Sequence, residues 1–288
     1  MILFKKEKDL KAFFKRKKSE EPNCTFGFVP TMGALHHGHL SLIKRSLSEN
    51  SDTVCSIFVN PTQFNEKTDL DKYPRTIEND MALLEAAGNS ILFWPVASEV
   101  YPPGLKTKLS ISFEGLENVM EGYFRPGHFD GMAQVVKRLL DMVEPDRLYM
   151  GQKDFQQVAI VRNMIEQLSI PIELVMCPII REKDGLAMSS RNVRLPKKHR
   201  IQVPVLHKTL KAVARKIKKQ KDIQTLKEWA TKQLSLPDIK LEYFEIADGR
   251  TLQSILAVNE SDYIVACLAV WIGEVRLIDN MVLVEAKN

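Results

Sequence analysis

Cysteines are few and follow no pattern. Cys24, Cys55, Cys177 and Cys267 form no C-x-x-C pair, and each lies in or beside an apolar run. That excludes a disulfide scaffold or a zinc ribbon and reads as buried free thiols in a reducing compartment. Long apolar runs are missing too. The longest, 263–272, is too short to span a bilayer and ends at Gly273, so it reads as a buried strand and no membrane partner is expected. The opening Met1-Ile2-Leu3-Phe4 turns basic at once and offers no signal-peptide core, so a cytoplasmic location is expected. Aromatic residues are only 8% and do not alternate with the lysines of the two basic stretches, 5–18 and 197–221. Those stretches hold much of the excess behind the net charge of +5, and they read as solvated helix faces, not as a base-stacking nucleic-acid surface. No internal repeat is present, which excludes a solenoid.

What is present fits a globular enzyme. The chain has 288 residues, 44% hydrophobic and 27% charged, enough for one large domain or two ordinary ones. Apolar runs at 25–29, 53–59, 91–94, 147–150 and 172–176 alternate with helix patterns at 40–47, 77–87, 132–143 and 155–168. That rhythm predicts an α/β fold: a Rossmann-like parallel sheet with helices on both faces, whose ligands bind at the carboxyl ends of the strands. Two insertions break it, at 60–76 and 95–128; the second holds an alternating run, 106–113, and a short helix near 116–121. After Pro178 the pattern changes to a loop, 181–196, a helix with the apolar stripe Ile201, Val205, Leu210, Val213 and Ile217, a second helix over 223–234, and strands near 241–246, 263–270 and 275–278. A first domain of 1–178 and a smaller C-terminal α+β domain of 179–288 are therefore expected.

Unusual polar residues gather just after the strands. Pro30-Thr31-Met32-Gly33-Ala34-Leu35-His36-His37-Gly38-His39 runs from a strand through a glycine turn into a helix. Backbone N–H groups and the helix dipole face an anion at such a junction, and His36 and His39, three apart, point the same way from one helical turn. A His-x-x-His zinc site finds no acidic or cysteine partner nearby. At the end of the next strand, Asn60 and Gln63 of Phe58-Val59-Asn60-Pro61-Thr62-Gln63-Phe64 offer donors and acceptors for a substrate with hydroxyl and carboxylate groups, although an Asn-Pro turn explains them equally well. Gly151-Gln152-Lys153-Asp154-Phe155-Gln156-Gln157 again joins strand to helix, with Asp154 as the expected N-cap and Gln157 as its capping-box partner. The loop Met188-Ser189-Ser190-Arg191-Asn192 supplies two hydroxyls and a guanidinium suited to phosphate.

Together these motifs resemble the pantoate–β-alanine ligase family, within the superfamily of nucleotidyl-transfer enzymes that carry a His-x-Gly-His signature. Tyr73-Pro74-Arg75-Thr76, Arg125-Pro126-Gly127-His128-Phe129, 183–192 and Arg276-Leu277-Ile278-Asp279-Asn280 match as well, in family order along nearly the whole chain. The resemblance implies an ATP-dependent, two-step ligation in the cytoplasm: pantoate and ATP give pantoyl adenylate and pyrophosphate, then β-alanine displaces AMP to give pantothenate. It implies that residues 30–39, 151–154, Ile180, Met188, Ser189, Ser190 and Arg191 bind ATP. It makes His39 the proton donor, His36 a second phosphate contact, and Lys153 and Arg191 catalytic cations. Gln63 and Gln157 hold pantoate, Asn60 and Tyr73 lie near it, and Glu121 and Arg125 lie near the flexible wall of the pocket. Mg²⁺ accompanies ATP, with no protein ligands named, and a homodimer is implied. Residues 60–76 and the Met188 loop are candidate lids. Two positions depart from the family pattern: Gln152 stands where Glu is usual, and Met150 where an aromatic residue is common. An aminoacyl-tRNA synthetase fragment is the rival enzyme, but about a hundred residues after the Met188 loop leave little room for an anticodon-reading domain. An RNA-binding module is the non-enzyme rival, and binding alone does not need the histidine pair, the serine–arginine loop and the two glutamines together.

Overall fold

In a computed structural model, which describes residues 1–63, 70–71, 73–220 and 222–285, the first half of the chain forms a six-stranded parallel sheet. Its strands are β1 (Ile2–Phe4), β2 (Phe26–Thr31), β3 (Asp52–Ile57), β4 (Ile91–Phe93), β5 (Arg147–Gly151) and β6 (Glu173–Cys177), in the spatial order β1-β4-β3-β2-β5-β6. The order reverses between β2 and β5, which are direct neighbours. Such a switch point is where ligands bind on an open parallel sheet, and β2 and β5 are the strands that lead into the first and third polar motifs.

The connecting helices are α1 (Glu7–Glu20), α2 (His37–Glu49), α3 (Ile77–Ala86), α4 (His128–Val143) and α5 (Phe155–Gln167). Alternate strand residues point to opposite faces. Val29, Cys55, Leu92 and Tyr149 share one core with Leu40 and Ile43 of α2 and Leu84 of α3. Phe26 and Phe28 face the other way, where the Phe14 ring of α1 meets Phe26 at 4.5 Å between centroids. All four cysteines are buried and free.

The C-terminal part is α+β, as expected. Helices α6 (Pro204–Lys216) and α7 (Ile223–Leu234) pack on an antiparallel sheet, β7 (Ile239–Asp248), β8 (Ile264–Ile272) and β9 (Val275–Val284), in the order β7-β8-β9. Their core joins Leu206, Leu210, Val213, Leu226 and Leu234 to Ile246, Ala266, Leu268 and Leu277. The chain divides into two compact units, and the division is interleaved. Met1–Phe113, Arg125–Gly151 and Ile160–Pro178 form the first; Glu114–Phe124, Gln152–Ala159 and the chain from Ile179 onward form the second. A single boundary near 178 does not describe this, because Glu121 and Gln156 are hydrogen-bonded within the second unit.

One local expectation is corrected. Ile201 is 82% exposed, because the chain turns there before α6 begins at Pro204. Residues 106–113 form no strand despite their alternation; Ser112 is bonded instead to the Gln167 side chain. Asp154 closes a 3₁₀ turn, Gln152–Asp154, and directly precedes the first residue of α5, Phe155, so it stands at the expected N-cap position. The first strand and α1 carry too little apolar periodicity to read. The three-residue β1 owes its form to pairing with β4, and α1 buries only Leu10 and Phe14.

Candidate active site

The histidine turn is built from its backbone outward. Gly33 has φ +81° and Ala34 follows at φ +49°, so two consecutive residues are left-handed. An added Cβ on Gly33 would lie 3.0 Å from the Asp80 carboxylate and 3.1 Å from Ile57. A left-handed Ala needs outside support, and Asp80 of α3 gives it. Fully buried, Asp80 accepts from the Ala34 N–H at 2.9 Å, the Leu35 N–H at 2.8 Å and the Thr76 hydroxyl at 3.1 Å. The Gly33 N–H donates to Thr31 Oγ1 at 3.2 Å, and that hydroxyl donates to the Ser56 carbonyl at 2.7 Å.

His36 is the N-cap of α2 and belongs to a reciprocal cap. Its Nδ1 accepts from the Gly38 N–H at 3.1 Å, and the His36 N–H donates to His39 Nδ1 at 3.4 Å. The rings stack with centroids 4.0 Å apart. An Nδ1 that accepts places the proton of a neutral ring on Nε2, so both imidazoles present N–H through Nε2. The amides of Gly33, Ala34, Leu35, His36 and Gly38 all have partners within the protein. The Asp80 carboxylate takes the Ala34 and Leu35 amides, just before the N-cap of α2. His37 is exposed and Leu35 is buried.

The second motif closes on the first. Gln63 is buried and donates from Nε2 to Met32 Sδ at 3.0 Å, while its Oε1 accepts from Asn60 Nδ2 at 3.2 Å. Asn60 is committed to the turn. Its Nδ2 also donates to the Gly131 carbonyl at 3.1 Å, and its Oδ1 accepts from Thr62 Oγ1 at 3.1 Å and the Tyr101 hydroxyl at 2.9 Å. Burial raises the pKa of that Tyr101 phenol, more than its bond with Thr62 lowers it. Two further residues shape this turn, though sequence reasoning gave them no role. His128 Nδ1 lies 2.9 Å from the Gln63 carbonyl. Gly131 lets α4 come close, since a Cβ there would lie 2.4 Å from the Thr62 carbonyl oxygen. Tyr73 is buried and its N–H donates to Leu70 O at 3.3 Å. Residues 64–69 and 72 of the candidate lid lie outside the described residues.

Within the second unit, Lys153 Nζ lies 3.6 Å from Asp154 Oδ1, and Gln157 is half-buried on α5. The Met188 N–H donates to Ile180 O at 2.9 Å, and Arg181 bridges Ala187, so a tight hairpin delivers residues 188–191. Ser189 then caps the 3₁₀ turn Ser190–Arg194, its Oγ accepting from the Arg191 N–H at 3.3 Å. Buried Asn192 donates to Ala187 O at 3.0 Å and to Glu182 Oε1 at 2.6 Å. Strand β9 supports both segments. Asp279 receives both terminal nitrogens of Arg181, at 2.6 and 2.9 Å. Asn280 donates from Nδ2 to the carbonyls of Gln152 and Lys153, both at 2.9 Å, and accepts from Gln152 Nε2 at 3.1 Å. Gln152 thus makes a bond that the family's usual Glu, an acceptor only when ionised, cannot make with Asn280 Oδ1.

Arg276 opens the same motif. It makes a bidentate pair with Glu121, both contacts 2.7 Å, and also meets Glu242. Burial works against the Arg276 charge, yet the two carboxylates outweigh it and push its pKa up. The Tyr243 hydroxyl donates to Glu121 at 2.8 Å and Trp271 Nε1 donates to Glu242 at 2.9 Å. Gln156 fastens the same segment, accepting from the Glu121 N–H at 2.9 Å and donating to Val119 O at 2.9 Å. No group of three or more His, Cys, Asp or Glu side chains among the described residues is placed to hold a metal.

The family model for pantoate-beta-alanine ligase matches residues 2–282. The chain is 50% identical over 256 residues to a pantothenate synthetase of Bacteroides fragilis, an alignment that covers 88% of this chain and 90% of the relative. A crystal structure of pantothenate synthetase from Thermus thermophilus superposes with a TM-score of 0.89 at 38% identity, covering 99% of this chain and 100% of that one. Another, a pantoate-beta-alanine ligase from Francisella tularensis complexed with beta-gamma ATP and beta-alanine, superposes with a TM-score of 0.75 at 35% identity, covering 98% of each chain.

Proposed function

We propose how this chain, which belongs to the pantoate-beta-alanine ligase family, uses the residues described above in that family's reaction. The chain condenses pantoate with β-alanine to give pantothenate, with ATP as co-substrate and pantoyl adenylate as intermediate. The match along residues 2–282 carries that activity. A pantoate carboxylate oxygen attacks the α-phosphorus of ATP, and the bond to the β-phosphate breaks to release pyrophosphate. The β-alanine amine then attacks the acyl carbon, loses a proton and displaces AMP. A carboxylate is a poor acyl donor to an amine until it carries such a leaving group.

The assignment of residues is our own. His36 and His39 donate from Nε2 to phosphate oxygens, and His39 is the proton donor; the Nδ1 contacts that fix both rings support this. Pro30, Thr31, Met32, Gly33, Ala34, Leu35, His37 and Gly38 shape that turn for ATP. Lys153 and Arg191 neutralise charge that builds on the phosphates, an effect strongest where water is excluded. Gly151, Gln152, Asp154, Ile180, Met188, Ser189 and Ser190 complete the nucleotide contacts. Gln63 and Gln157 hold pantoate, and Asn60, whose polar atoms are committed to the turn, acts by orienting Gln63. Tyr73 lies on the substrate side. Mg²⁺ accompanies ATP on its phosphates, with its protein ligands unassigned. A cytoplasmic homodimer completes the proposal. No described helix is long and apolar enough to cross a membrane, and sedimentation at micromolar concentration reads the dimer directly.

The test is ATP–pyrophosphate exchange with pantoate and no β-alanine. Wild-type protein exchanges, and His39→Ala loses roughly 100- to 1,000-fold. Full exchange by His39→Ala removes that histidine from the mechanism.

A further inference from the structure

We propose that Asn280 on β9 is a positioning residue that aims Lys153, and that its neighbour Asp279 anchors the hairpin carrying Met188 to Arg191 by the same strand. Asn280 is 2% exposed, and each of its hydrogen-bonding atoms is used within one short turn. Its two Nδ2 hydrogens go to the Gln152 and Lys153 carbonyls, and its Oδ1 takes the Gln152 Nε2–H. A side chain this fully committed fixes the backbone from which the Lys153 ammonium extends. Asp279, 3% exposed, accepts from the Asn280 N–H at 2.8 Å and holds Arg181 through both carboxylate oxygens. Arg181 in turn donates to Gly185 O at 3.1 Å, across the hairpin that ends at Met188. The strand itself is rigidly placed, with Asn280 opposite Cys267 and Asp279 opposite Leu268 on β8. Two adjacent residues therefore brace the two nucleotide-facing segments of the second unit.

The inference rests on the reading that Lys153 meets the phosphates of ATP, and the test separates the two. A misplacement of about 1 Å in a catalytic group costs on the order of 100-fold in rate. Asn280→Ala is therefore expected to lower kcat for pantoate-dependent ATP–pyrophosphate exchange roughly 10- to 100-fold, with the pantoate KM unchanged. Asn280→Asp, isosteric but turning lone pairs on two carbonyls, is expected to lose at least as much and serves as the second variant where Asn280→Ala fails to fold. In a Lys153→Ala background, assayed at high enzyme concentration, either substitution is expected to cost less than about twofold, because the group it aims is gone. An equal loss with and without Lys153, or a lowered melting temperature with kcat intact, overturns the positioning role. Full exchange by Lys153→Ala alone overturns the reading of Lys153, and this inference with it.

Discussion

Asp80 was not legible in the sequence, although the turn it supports was. A carboxylate inside a helix pattern ordinarily reads as a solvated charge, and nothing in its spacing points 45 residues back to the Leu35 amide. The histidines were legible because their chemistry and their local architecture coincide within ten residues. Removing the Asp80 carboxylate strands the Ala34 and Leu35 amides and withdraws support from a left-handed Ala. Asp80→Ala is expected to destabilise the protein by about 2–4 kcal/mol, read as a lowered urea midpoint, and to cost exchange activity as well. A variant with the wild-type midpoint would show that the turn holds itself. The cysteines give a second expectation at this scale. Burial pushes the Cys55 thiol up to about 12 and the Cys177 thiol up to about 11. At pH 8 no thiol of the folded protein should react with a disulfide reagent, and four should react in denaturant.

At the level of elements, periodicity found the central strands and the long helices, because each buries a complete face. It missed β1, which takes its form from pairing with β4, and it misplaced Ile201, whose spacing continues a stripe that the backbone does not. It gave Arg276 no role, because the partners Glu121 and Glu242 lie 155 and 34 residues away. Arg276→Met leaves the carboxylates of buried Glu121 and half-buried Glu242 without their cation, and about 3–5 kcal/mol is expected to be lost. Amide exchange over 114–124 should then rise; unchanged protection there would detach that segment from the network. The hairpin after Arg181 has a pH dependence. Burial works to raise the Asp184 pKa, but hydrogen bonds from Arg200 and the Leu186 N–H, with the Arg200 charge, hold it below the ordinary 3.8. A depressed carboxylate contributes stability that is present above the unfolded-state pKa and lost as pH falls through the folded one. Asp184→Asn is therefore expected to melt lower than wild type at pH 7, with the gap closing below about pH 3.8. A gap independent of pH would rule out the ion pair as its source.

Across the whole chain, each of two units with its own core is discontinuous in sequence, segments 114–124 and 152–159 belonging to the second. No local pattern announces that arrangement, since both short segments are assigned by long-range hydrogen bonds. The activity was more legible than the architecture, because the reaction depends on short motifs whose residue types are constrained by chemistry. The central claim is that the carboxylate of pantoate is activated as an acyl adenylate, and one isotope experiment reads it. Pantoate labelled with ¹⁸O in its carboxylate is turned over with ATP and β-alanine, and the AMP is analysed by mass spectrometry. Attack on the α-phosphorus followed by acyl transfer leaves one ¹⁸O in the phosphate of each AMP and one in the amide carbonyl of pantothenate. Unlabelled AMP, or ¹⁸O in inorganic phosphate beside ADP, would contradict the account.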